Sequence, residues 1–174
     1  KFAEAFLSQT ASEKKLIGVN IGSSPRWQSK RWPYRRFAQL CDQLIAKGYR
    51  VILTGSVHDA TTAKKILKEM KAEPLCSVGR TTLMQLASLI KKCDCYVTGD
   101  SAPMHVAAAA GVPFVAFFGP TYSARHLPLQ SSSVVLQKAC VPCYKDTCRK
   151  KDHECMEKIT VQDCLAAVEE LLRK

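Results

Sequence analysis

Two hydrophobic periods alternate along the chain. Short, nearly unbroken apolar runs occur at Leu16-Ile17-Gly18-Val19-Asn20-Ile21, Val51-Ile52-Leu53-Thr54, Leu75 to Val78, Cys95-Tyr96-Val97 and Phe114 to Phe118, with a sixth at Val134 to Leu136. Their length and their β-branched and aromatic content predict strands. Between them, apolar residues recur every three or four positions. Phe37, Leu40, Cys41, Leu44 and Ile45 form one such set, and Ile66, Leu67 and Met70 another, in a helix expected over Asp59 to Met70. Leu83, Leu86, Ala87 and Ile90, then Leu165, Val168, Leu171 and Leu172, complete the series. That spacing predicts amphipathic helices. The punctuation agrees. Gly48 sits at a helix C-cap, Thr81 or Thr82 at an N-cap, and Pro103 in the first turn of a helix that Gly111 stops. Thr160-Val161-Gln162-Asp163 resembles a capping box with Asp in the place of Glu.

Alternating helices and unbroken apolar strands predict an α/β fold, a Rossmann-like doubly wound parallel sheet covered on both faces. No internal repeat, low-complexity tract or second domain is visible. Residues 16–174 are expected to form the domain. Residues 1–15 are expected to be the remnant of a linker or helix, because Phe2, Ala3, Phe6 and Leu7 look like the end of a helix from something longer and there is no initiator Met. The chain is therefore expected to be a fragment. Lys1 to Lys15 lacks the apolar stretch and cleavage site of a signal peptide, and no apolar run approaches the ~20 residues of a membrane helix.

Composition narrows the chemistry. Over 174 residues, 47% hydrophobic and 24% charged positions fit a globular domain and exclude a disordered tail or a fibrous repeat. A formal charge of +11 implies an anionic partner: phosphate, nucleotide, nucleic acid or an acidic membrane face. Nine cysteines, an odd number, point to reduced thiols in a cytosol rather than a disulfide framework. Cys41, Cys93, Cys95 and Cys164 fall in helix or strand patterns and should be small buried apolar residues. Cys140, Cys143, Cys148 and Cys155, with His153 nearby, could wrap one structural zinc ion. Disulfides, or free thiols in a packed loop, are the alternatives.

In a doubly wound sheet ligands bind at the carboxyl ends of the strands, so the loops there hold the candidate residues. After the first strand, Gly22-Ser23-Ser24 and then Lys30 and Arg31 offer backbone approach, hydroxyl donors and charge suited to a diphosphate. The pattern matches neither the dinucleotide glycine motif nor a Walker loop. After the fourth strand, Asp100 and Ser101 sit where an N-cap would be, and His105 lies in the first helical turn. Gly79-Arg80-Thr81 follows the third strand and suits main-chain contact to a base, while Gly119-Pro120-Thr121 follows the fifth. Each has a plain structural alternative: a basic surface loop, a helix cap, a turn. Their convergence on one sheet edge is the stronger signal.

The string from Gly99-Asp100-Ser101-Ala102-Pro103-Met104-His105 through Gly119-Pro120-Thr121 resembles the signature of glycosyltransferase family 9, the ADP-heptose:lipopolysaccharide heptosyltransferases and their relatives. Lys30-Arg31-Trp32-Pro33, Gly55-Ser56 and the Cys-x-Pro-Cys stretch at 140–143 are similar to further family features. The resemblance covers about Leu16 to Leu172, the C-terminal half of the family's architecture. It implies one half of a GT-B enzyme, the half that holds the nucleotide-sugar donor, ADP-heptose. The absent N-terminal domain would hold the acceptor, a lipid-linked phosphorylated glycan of the lipopolysaccharide inner core, and supply the general base, so the fragment alone would be inactive. By motif, Lys30 would stabilise the leaving diphosphate, with Ser23 and Ser24 as donors. Asp100, Ser101, His105, Gly119 and Thr121 would line the phosphate and sugar region, and Thr81 the adenine. Asp59 is a candidate for the ribose. Ala102 departs from the Gly that many members carry there. The resemblance further implies inverting chemistry without a catalytic cofactor, and a cytoplasmic enzyme touching the inner face of the inner membrane. The alternatives are another GT-B nucleotide-sugar enzyme, such as an epimerase, and a zinc-bearing nucleic-acid-binding domain. The last would need exposed aromatics interleaved along a basic stripe.

Overall fold

The computed structural model describes residues 2–8, 13–129, 131–138, 140–150 and 152–173. Six parallel strands form one sheet: β1 (Leu16–Asn20), β2 (Arg50–Thr54), β3 (Leu75–Cys76), β4 (Cys95–Gly99), β5 (Phe114–Phe118) and β6 (Ser133–Gln137). Their order is β3-β2-β1-β4-β5-β6, the doubly wound arrangement. Successive side chains point to opposite faces, so each strand feeds two cores. Ile17, Val19, Leu53, Val97, Val115 and Phe117 face one, against α2 (Tyr34–Ala46), α3 (Ala60–Glu69) and α8 (Val161–Arg173). Ile52, Tyr96, Phe114, Ala116 and Phe118 face the other, against α1 (Phe2–Leu7), α4 (Leu83–Ile90) and α5 (Ala102–Ala109). Two single-turn helices, α6 (Ser123–His126) and α7 (Glu154–Glu157), were not anticipated from the sequence.

The expected punctuation is present. Thr82, rather than Thr81, caps α4: its Oγ1 accepts from the Gln85 amide while the Gln85 side chain accepts from the Thr82 amide. Asp163 and Thr160 exchange the same pair of bonds at the start of α8. Gly48 and Gly111 follow α2 and α5 with φ of +89° and +69°, a conformation that favours glycine. The helix expected over Asp59 to Met70 is shorter, because Val57–Asp59 make a 3₁₀ turn before α3. The third strand is only two residues long. Of the 1–15 segment, Phe2–Leu7 is helical and packs under α4, while residues 1 and 9–12 lie outside the described residues.

Gly18 has a specific packing role. A Cβ there would stand 2.4 Å from Tyr96 Cδ2. The bare backbone lets the fully buried Tyr96 ring cross β1, where its hydroxyl meets Thr54 Oγ1 at 2.6 Å.

Candidate functional site

The strand order reverses direction between β1 and β4, and the loops leaving those two strands part there. The result is a cleft of about 730 Å³ at the carboxyl ends of the strands. Ser23, Ser24, Lys30, Thr81, Asp100, Ser101 and His105 all line it. The loop after β2 contributes Gly55, Ser56 and His58, and α4 adds an apolar wall of Leu83 and Leu86. A parallel sheet buries its strands on both faces, so the strand ends are where its polar chemistry can meet a ligand.

At the floor, Lys30 Nζ stands 2.6 Å from Asp100 Oδ2 and 4.6 Å from the centre of the Trp27 ring. Both partners are largely buried, with side-chain exposures of 13% and 7%. Thr121 Oγ1 donates to the same Oδ2 at 2.6 Å. Thr121 therefore belongs to the layer behind the cleft and not to its lining. Gly119 is also withdrawn: a Cβ there would lie 2.8 Å from Met156 Sδ and 2.9 Å from Cys155 Sγ, so it packs against α7. The five-residue β5 carries both residues past the cleft and under the Cys-rich segment.

Ser101 leads α5 in extended conformation and makes no side-chain cap. Its hydroxyl turns back to the Gly99 carbonyl at 3.3 Å, and Pro103 lies in the first turn. A helix start without a side-chain cap presents backbone N–H groups and the positive end of the helix dipole, which favours an anion. His105 is exposed on the cleft wall. Ser23 donates to the Trp27 carbonyl at 3.0 Å, which curls the Ser24–Trp27 turn above Lys30.

Two residues change standing. Asn20, at the end of β1, is 3% exposed. Its Nδ2 donates to Gly22 O at 2.9 Å, Thr98 Oγ1 at 3.2 Å and Ser101 Oγ at 3.3 Å. It ties the loop after β1 to the loop after β4. The available signal was a lone amide closing the apolar run Leu16 to Ile21. Asp59, the ribose candidate, is 2% exposed. Its Oδ2 accepts from the Ser56 amide at 2.9 Å and the Ser56 hydroxyl at 2.7 Å, and its Oδ1 faces Arg31 at 3.5 Å. The carboxylate is committed to pinning the wall of the cleft. A Cβ on Gly22 would come within 2.2 Å of it, so the first loop can lie down only with glycine there.

The structural zinc expected at the four clustered cysteines finds no support in the structure. All nine thiols are free, Cys143 is exposed, and among the described residues no three His, Cys, Asp or Glu side chains are grouped to hold a metal ion. Burial, and then the neighbouring Cys140, Cys148 and Cys143, push the Cys155 thiol up to about 11. Cys41, Cys93, Cys95 and Cys164 are buried, as their pattern implied. Phe37, Phe114, Phe117 and Phe118 are core residues, while Tyr122 and Tyr144 are exposed. No helix among the described residues is long and apolar enough to cross a membrane.

Comparison with known proteins places this cleft in context. The family model for glycosyltransferase family 9 (heptosyltransferase) matches residues 1–154. Lipooligosaccharide heptosyltransferase 2 of Campylobacter jejuni is 32% identical over 169 residues, covering 92% of this chain and 52% of that protein. The crystal structure of the glycosyl transferase family 9 protein from Veillonella parvula superposes with a TM-score of 0.88 at 30% identity, over 98% of this chain and 50% of that one. The structure of Escherichia coli ADP-heptose lps heptosyltransferase II gives 0.84 at 32% identity, over 99% and 51%. This chain thus spans about half the length of the relatives it matches. With the doubly wound sheet, the cleft at its reversal point and a family match over most of the sequence, the chain belongs to glycosyltransferase family 9, the heptosyltransferases.

Proposed function

We propose that this chain is the nucleotide-sugar-binding half of an inverting heptosyltransferase of lipopolysaccharide inner-core synthesis, with ADP-heptose as the donor. The observation that carries this reading is the convergence of Lys30, Asp100 and the start of α5 in one cleft. In the reaction, an acceptor hydroxyl forms a bond to the anomeric carbon while the bond to the donor phosphate breaks. The hydroxyl proton goes to a base on the other half of the enzyme, and negative charge grows on the departing diphosphate. Lys30 and the N-terminus of α5 stabilise that charge, in a water-poor site where fixed dipoles act strongly. The apolar wall of Leu83 and Leu86, beside Thr81, suits the adenine. The excess of 26 basic over 15 acidic residues favours docking of a phosphorylated glycolipid at an anionic membrane surface.

Titration of the chain with ADP and with UDP, followed by calorimetry, tests the donor assignment. ADP should bind preferentially, and added salt should weaken it. Equal binding of both, or of neither, refutes it. In the full-length enzyme, Lys30→Ala should lower turnover by roughly a hundredfold, the size of one well-placed charge-stabilising donor. An unchanged rate removes Lys30 from leaving-group stabilisation.

A further inference from the structure

The described residues between β6 and α7 are mostly exposed coil, yet they take every polar backbone and side-chain group of one buried residue. Ser29, 3% exposed, sits in the 3₁₀ turn Gln28–Lys30 immediately before Lys30. Its amide donates to Asp146 O at 2.9 Å and its hydroxyl to Lys145 O at 2.5 Å. Its carbonyl lies 2.8 Å from His153 Nε2, which must carry the proton because a carbonyl only accepts. At its other end the segment is anchored by the Tyr144 amide, which donates to Pro120 O at 2.8 Å. Pro120 adjoins Thr121, the residue bonded to Asp100. One strap therefore reaches both supports of the Lys30–Asp100 pair.

Its backbone is held under strain to do so. Tyr144 and His153, with φ of +51° and +43°, are the two non-glycine residues among those described that adopt the left-handed region. Such conformations cost energy and persist where the surroundings impose them. Here they fall at the two anchoring residues.

We propose that His153 is a positioning residue: through the Ser29 carbonyl it fixes the turn that carries Lys30, and with Tyr144, Lys145 and Asp146 it forms a strap that sets the Lys30–Asp100 pair for the diphosphate. This rests on the reading above, in which Lys30 grips that diphosphate. It gives the segment a purpose that needs no metal.

The test is ADP titration of four forms of the chain: wild type, His153→Asn, Lys30→Met and the double variant. Asn tolerates the left-handed backbone but falls short of Ser29. His153→Asn should weaken ADP about tenfold, the scale of one lost hydrogen bond. His153→Gln, whose amide nitrogen can reach the same carbonyl, should recover to within about threefold of wild type. In the Lys30→Met background, His153→Asn should have no further effect. Equal losses in both backgrounds, or none in the wild type, would overturn the proposal. If Lys30→Met alone leaves ADP binding intact, the donor-site reading fails first and takes this one with it. Should His153→Asn not fold, Ser29→Ala, which deletes only the hydroxyl bonded to Lys145, should cost about threefold through the same strap. An undiminished affinity there overturns it equally.

Discussion

Gly22→Ala is the sharpest probe of how the cleft is built. The new methyl would stand 2.2 Å from Asp59 Oδ2, 2.6 Å from Cγ and 2.9 Å from Oδ1. The first distance is about 1 Å inside van der Waals contact. Asp59 has little freedom to retreat, because it is 2% exposed and its Oδ2 holds the Ser56 amide and hydroxyl. Two escapes exist. The carboxylate can swing away and forfeit bonds to a charged acceptor, each worth about 1.5–3 kcal/mol. Alternatively, the backbone at Gly22 can lift and carry Ser23 with it, at an overpacking cost of about 1–3 kcal/mol. The cheaper route sets the expected loss at about 1–3 kcal/mol, read as a lower urea midpoint at unchanged m-value. Because the clash is with one side chain, removing that side chain should relieve it. In a double-mutant cycle, Gly22→Ala combined with Asp59→Ala should be at least ~1 kcal/mol more stable than the sum of the singles. Additive energies, or a Gly22→Ala variant as stable as wild type, would refute this account of the loop.

Other consequences can be checked together. Gly18→Ala drives a methyl into the Tyr96 ring and should cost ~3 kcal/mol, whereas Gly48→Ala meets no atom within 4 Å and should cost only the ~1 kcal/mol of left-handed strain; thermal melts of the two should differ accordingly. Asn20→Leu leaves the Gly22 carbonyl and two hydroxyls without their shared donor, so stability should fall by ~2 kcal/mol and ADP binding should weaken together. Unchanged binding would separate Asn20 from the cleft. Burial opposes ionisation of Asp163, but Lys138 and Thr160 outweigh it and hold the carboxyl at about 2 against an ordinary 3.8. Hydrogen bonds from Lys158 and Lys150 bring Glu154 to about 2 against 4.5. Both folded values lie below the unfolded ones, so this stability is complete above about pH 4.5 and is lost as pH falls towards 2. The melting temperature should drop across that window, and Asp163→Asn should flatten the drop. An identical profile in the variant would contradict the assignment.

What the sequence could disclose follows from the range of the forces involved. Ile17, Val51, Tyr96 and Phe114 announce their strands because an unbroken apolar run has few other solutions, and Gly48 and Thr82 act within one helical turn. Asp100 and Ser101 stand out because they follow such a run directly, and Lys30 because the loop after the first run is basic. The third strand spans only Leu75–Cys76, although the Ser77 and Gly79 amides still donate to the Leu53 and Gly55 carbonyls beyond it, which no local pattern encodes. Asp59 looked like a ribose ligand because its neighbour Arg31, 28 positions away, is invisible to local reading. Gly119 and Thr121 were placed at the ligand for a similar reason: Gly119 packs against α7, more than thirty residues downstream, and Thr121 bonds Asp100 and Gln137. The bonds to Ser29 from residues 116 and 124 positions away have no periodicity at all.

The order of the strands also governs when the cleft comes into being. β1 pairs with β2 across a single helical crossover, but its other neighbour, β4, arrives much later: the Asn20–Thr98 bond joins residues 78 positions apart. Closing so long a loop is entropically slow compared with assembling β1, α2 and β2. Pulse-labelled exchange should therefore protect the Ile52 amide, which faces β1, before that of Val97; simultaneous protection would contradict this sequence of events. A nascent chain halted before Val97 would hold half a grip, unable to retain an anion, so competence would be gained in a single late step.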